Sequence, residues 1–141
     1  MGNKLLIHLK HEHAKAPTKG SFYSAGHDLY SCEDVVITAG GRRLVNIGIT
    51  AFFPFGTYGR ISSRSGLSLT NGLEVGAGVI DFDYGGVIKV LLYNHSEADY
   101  KVAIGDRIAQ LIVVKIEYCD IDVEEVALEV RGDKGFGSTG I

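Results

Sequence analysis

An all-β domain, a jelly-roll-like sandwich or barrel, is the fold class the sequence predicts. Three observations predict it. Helical periodicity is almost absent along the 141 residues. Short apolar runs rich in Val, Ile, Leu and Tyr recur instead, at fairly regular spacing. Nineteen glycines against two prolines supply tight turns between them.

In chain order, the segments that read as strands are "KLLIHLK" (4–10), "DVVITA" (34–39), "RLVNIGITAFF" (43–53), "GTYGRIS" (56–62) and "LEVGAGVI" (73–80). "GVIKVLLYN" (86–94), "DYKVAIG" (99–105), "DRIAQLIVVKI" (106–116) and "IDVEEVALEV" (121–130) follow. Each alternates or runs apolar over a short span, which suits a pleated, half-buried surface. Turn signals separate them: "AGG" (39–41), "PFG" (54–56), "TNG" (70–72), "DYGG" (83–86) and "IGD" (104–106). Only "SRSGLSLTN" (63–71) can form a short helical turn. A single domain is expected over residues 1–130, followed by a glycine-rich arm, 131–141. Four glycines in that arm make it costly to order without a ligand.

Composition narrows the function. The net charge is −3, with no basic block, so a nucleic-acid partner is not expected. The acidic excess gathers between Glu117 and Glu129. Cys32 and Cys119 stand alone, without CxxC spacing, and read as reduced thiols. No apolar run is long enough to span a membrane, no secretory segment opens the chain, and Leu6 sits where a myristoylation signal needs Ser or Thr. The expectation is a soluble intracellular protein, cytoplasmic or nuclear.

Five segments carry candidate chemistry. The arm "RGDKGFGSTG" (131–140) has P-loop-like spacing but lacks the lysine and any following helix. What remains is anion-binding physics. The glycines let backbone N–H groups converge, Ser138 and Thr139 add hydroxyls, Arg131 adds a planar fork, and Phe136 offers a face for a flat ring. "GRISSRSGL" (59–67) sets Arg60 and Arg64 among serine hydroxyls. "GAGVIDFDYGG" (76–86) delivers Asp81 at the end of an apolar strand, with Tyr84 in the hairpin turn behind it. A carboxylate against an apolar wall gains basicity by partial desolvation and can act as a general base. "SAGHDLYS" (24–31) places Asp28 in a polar break before a strand, and "GDRIAQL" (105–111) places the amide of Gln110 in an apolar strand. Taken singly, each has a plainer explanation: a mobile terminus, a polar turn, a hairpin, a backbone-satisfying amide. His8, His11 and His13 read as a surface strand, since no second ligand cluster accompanies them.

Together, in this order, the five segments resemble the five motifs of the trimeric deoxyuridine triphosphate nucleotidohydrolases, the dUTPases, over Ser24 to Gly140. The resemblance implies a jelly-roll-like β-clip fold, assembled as a homotrimer whose C-terminal arms are exchanged between subunits. It implies a dUTP diphosphatase, converting dUTP with Mg²⁺ to dUMP and pyrophosphate. This keeps uracil out of DNA and supplies dUMP for thymidylate synthesis. Asp81 is then the general base. Tyr84 is the wall beneath the deoxyribose, and the backbone from Gly78 to about Lys89 reads the uracil edge. Arg64, Ser65, Gly66 and Gln110 hold the phosphates, and Asp28 supports Mg²⁺ through water. Arg131, Phe136, Gly137, Ser138 and Thr139 close as a lid from another subunit. Some residues depart from the family's usual pattern: "SSRSG" stands for "APRSG", Gly85 for an arginine, Lys89 for a glycine and His27 for an aromatic residue. None of these removes a catalytic group. Two rivals stay open: a dCTP deaminase of the same fold, and a non-catalytic β-barrel that keeps the pocket.

Overall fold

The computed structural model describes residues 3–125. Its strands are β1 (Leu6–Leu9), β2 (His27–Tyr30), β3 (Val35–Ile37), β4 (Arg42–Phe52), β5 (Thr57–Ser62), β6 (Leu73–Gly76), β7 (Val79–Ile80), β8 (Ile88–Asn94), β9 (Tyr100–Val102) and β10 (Arg107–Lys115). A single helix among the described residues, α1 (Ser65–Asn71), lies where the sequence allowed one, and Gly72 ends it in the left-handed region at φ 67°. Two four-stranded antiparallel sheets, ordered β1-β4-β8-β6 and β2-β10-β5-β7, are accompanied by an antiparallel β3-β9 ribbon. The all-β, jelly-roll-like class is the one the sequence predicted.

Alternation builds the core. In β8, residues 88, 90, 92 and 94 are buried, while 89, 91 and 93 are not. Val45, Ile47 and Ile49 of β4 meet Ile88, Val90 and Leu92 of β8, with Leu29, Ile61, Ile108 and Leu111 from the other sheet. Asn94 is buried without loss, because its amide donates to the carbonyls of Ile37 (3.0 Å) and Ala98 (2.8 Å). Thr50 differs: its buried hydroxyl has no partner among the described residues. β4 bulges between Asn46 and Ile49, where Gly48 takes φ 67° and a Cβ would lie 2.7 Å from that of His11. No helix among the described residues is long and apolar enough to cross a membrane.

Three expectations need correction. "LEVGAGVI" is not one strand: β6 pairs with β8 in one sheet, and β7 pairs with β5 in the other. The break falls at Ala77, whose φ of 48° turns the chain from one layer to the next. Asp28 does not precede a strand but lies within β2. Residues 121–125 form no strand, and 126–130 lie outside the described residues.

Candidate functional site

The first group of predicted residues sits on the sheet containing β2, β10 and β5. Register places Asp28, Gln110 and Ser62 in one row across three strands. β5 then ends, and Arg64 follows in extended conformation (φ −87°, ψ 129°) immediately before α1. Its Nε donates to Oδ1 of Asp28 at 3.2 Å, and Nη1 of Arg107 lies 3.8 Å from Oδ2. The Gln110 side chain fills the space over Gly26, where a Cβ would come within 2.5 Å of its Oε1. Its Nε2 donates to the carbonyl of Ser63 at 2.9 Å, and the Ser63 hydroxyl accepts from the N–H of Val75 at 3.0 Å. Ser65 and Gly66, exposed in the first turn of α1, present N–H groups that the helix does not use. Beside Asp28, burial and then the Lys19 charge push the His27 imidazole below its usual pKa.

The second group lies on the chain between β7 and β8. The two strands belong to different sheets, so residues 81–87 form a bridging loop rather than the expected hairpin turn. Gly78 anchors its start: the carbonyl accepts from the N–H of Ile61 at 2.7 Å, and a Cβ there would be 2.2 Å from the Ile61 carbonyl oxygen. The Tyr84 N–H donates to the carbonyl of Asp81 at 3.0 Å, and its hydroxyl donates to the carbonyl of Val87 at 3.0 Å. The tyrosine lies on Gly86, where a Cβ would be 2.5 Å from the hydroxyl oxygen, so a larger residue there would displace the ring. Asp81, Tyr84, Lys89, Ile61 and Ala77 border a groove of about 480 Å³. Asp81 is exposed, so this chain alone does not supply the desolvation expected of its carboxylate.

The two groups are linked through β5, whose Ile61 lines the groove and whose end leads to Arg64. Among the described residues, no hydrogen bond or ion pair joins Asp28, Arg64 or Gln110 to Asp81, Tyr84 or Lys89. A larger hollow of about 1230 Å³, between Leu5, Phe55 and Tyr118, contains none of the predicted site residues. Arg131, Phe136, Gly137, Ser138 and Thr139 lie outside the described residues. Sequence reasoning quoted Arg107 within "GDRIAQL" but gave it no role. It also missed Ala77, whose backbone turn leaves no trace in hydropathy.

Among the described residues, no three His, Cys, Asp or Glu side chains gather to hold a metal ion. The donor set, one carboxylate already facing arginines, fits a hard cation carried on phosphate oxygens and reached through water.

A family model described as dUTPase matches residues 12–140. The deoxyuridine 5'-triphosphate nucleotidohydrolase of Yarrowia lipolytica is 49% identical over 140 residues, covering 97% of this chain and 89% of the relative. The Candida glabrata protein of that name is 49% identical over 141 residues, covering 99% and 98%. The dUTPase of Staphylococcus bacteriophage 80alpha, solved with dUPNHPP, has a TM-score of 0.92 at 27% identity, covering 99% of both chains. With a matching family model over most of its length and relatives at about half identity, this chain belongs to the dUTPase family.

Proposed function

We propose that the chain is a dUTP diphosphatase, hydrolysing dUTP to dUMP and pyrophosphate with Mg²⁺ as a homotrimer. The observation that carries the reading is the 81–87 loop. It sets a free carboxylate and a braced aromatic ring at the edge of one groove, with strand backbone along its floor. The names of the relatives and the dUPNHPP in the phage structure supply the substrate class.

The chemistry follows from the parts. Water attacks the α-phosphorus in line, and Asp81 takes its proton. Tyr84, held by Val87 and seated on Gly86, walls the deoxyribose and leaves no room for a ribose 2'-hydroxyl. Backbone groups from Gly78 to Lys89 match the uracil edge, and closure around C5 excludes a methyl group. Arg64, Ser65, Gly66 and Gln110 bind phosphate oxygens, and Arg131, Phe136, Gly137, Ser138 and Thr139 close over the nucleotide. Mg²⁺ offsets charge on the leaving pyrophosphate when bound, with Asp28 on its water shell. A triphosphate brings about four negative charges to a chain that is itself net acidic, so cations at the site are essential.

The trimer is supported by what one chain leaves unfinished. Among the described residues, the groove that Asp81 and Tyr84 border is not lined by Asp28, Arg64 or Gln110. Exposed apolar residues are numerous, among them Leu44, Phe55, Val79, Ile121 and Val123. Residues 1–130 as one domain, with 131–141 as an arm closing a neighbour's site, complete the proposal.

The test is pyrophosphate release from dUTP, dCTP, dTTP and UTP with Mg²⁺. Release from dUTP alone supports the reading. Ammonia from dCTP points to the deaminase, and no turnover to a binding protein.

A further inference from the structure

The turn assigned to phosphate, Arg64 to Gly66, has little of its own to hold it in place. β5 ends at Ser62 and α1 starts at Ser65, so Ser63 and Arg64 form a two-residue link. Among the described residues, no side chain caps the start of α1, and none of its seven residues is buried. An isolated helix of that length is not stable in water. What fixes the segment is the open edge of β6. That strand is the last in its sheet and pairs with β8 alone. The N–H of His95 donates to the carbonyl of Gly72, and bonding alternates along the pair from there. The carbonyl of Leu73 and the N–H of Val75 therefore face away from β8. Two serines take them. The Ser63 hydroxyl accepts from the Val75 N–H at 3.0 Å, and the Ser68 hydroxyl donates to the Leu73 carbonyl at 2.7 Å. The Ser63 carbonyl also accepts from Nε2 of Gln110 at 2.9 Å, which ties the same residue to the other sheet. Arg64, Ser65 and Gly66 lie between the two serine contacts.

We propose that Ser63 and Ser68 are positioning residues, a pair of hydroxyl clamps that set Arg64, Ser65 and Gly66 against the sheet edge for the triphosphate. In the "APRSG" pattern a proline, with its fixed φ, stands where this chain has Ser63. Here hydrogen bonds to the β6 edge and to Gln110 supply the restraint instead. This deepens the dUTP reading and rests on it.

The experiment measures, on the full chain, the dissociation constants of dUPNHPP and of deoxyuridine, together with the melting temperature and wild-type turnover of dUTP. Deoxyuridine carries no phosphate and so reports the groove beside Asp81 and Tyr84 without the 64–66 turn. Ser63→Ala weakens dUPNHPP about fivefold, in the range of one lost hydrogen bond, and leaves deoxyuridine within about twofold. Ser68→Ala moves the ratio of the two constants in the same direction. Ser63→Thr, which keeps the hydroxyl, returns the ratio to within about twofold of wild type. An unchanged dUPNHPP constant in Ser63→Ala overturns the proposal. So does a lower melting temperature with both ligands weakened alike, which is what a merely structural serine gives. No dUTP turnover by the wild type sinks the functional reading and the proposal with it, whereas an active wild type isolates the clamps as the part that failed.

Discussion

Replacing Gly78 with alanine probes the joint on which β7 and the 81–87 loop hang. A Cβ at that position would sit 2.2 Å from the carbonyl oxygen of Ile61 and 3.2 Å from its carbon, and both belong to backbone. No side-chain rotation can relieve the clash, so the two segments must separate by about 1 Å to reach ordinary contact. The bond from Ile61 N–H to the Gly78 carbonyl, now 2.7 Å, would then be lost in a half-buried setting. A broken bond that leaves its groups unpaired costs about 1–3 kcal/mol, and the backbone shift adds to it, giving roughly 2–4 kcal/mol. That corresponds to a melting temperature lower by roughly 5–15 °C. Asp81 and Tyr84 ride on the same loop, and a 1 Å displacement of reacting groups costs about a hundredfold in rate. Differential scanning calorimetry and kcat/KM for dUTP measure the two effects. Gly85→Ala is the control, because nothing lies within 4 Å of a Cβ there. Wild-type stability and turnover in Gly78→Ala would refute the claim that this contact positions the loop.

Thr50→Val removes a buried hydroxyl that has no partner and should raise stability by about 1 kcal/mol, read as a higher urea midpoint with unchanged slope. His27 should make folding acid-sensitive. Its folded pKa lies below the usual 6.5, so the unfolded chain binds more protons, and stability falls as pH drops from about 6.5 toward the folded value. In His27→Phe that share of the pH dependence should vanish from melts taken between pH 5 and pH 8. Deleting residues 131–141 should lower dUTP turnover on the order of a hundredfold while sedimentation still reports three chains.

Much of the fold was legible because β alternation is a local signal. The mostly apolar run 88–94 is a strand with alternating burial, and the turns at 39–41, 54–56 and 104–106 separate strands in the structure. What was not legible depended on contacts far along the chain. The split of 73–80 turns on a left-handed Ala77 and on Gly78 meeting Ile61, neither of which changes hydropathy. Asp28 looked like a strand breaker because a carboxylate suits a strand only when paired, and its partner Arg64 is 36 residues away. In the candidate site, Asp81 and Tyr84 come together because they are neighbours in sequence. The Asp28–Arg64–Arg107 cluster required three elements and a bulge.

The most direct test of the account exchanges one atom type. Asp81→Asn keeps the shape of the loop but cannot accept the proton of the attacking water. Turnover of dUTP should fall by at least about a thousandfold while the dissociation constant for dUPNHPP changes little. Turnover close to wild type would contradict the account, because the groove would then do its chemistry without the carboxylate on which the mechanism rests.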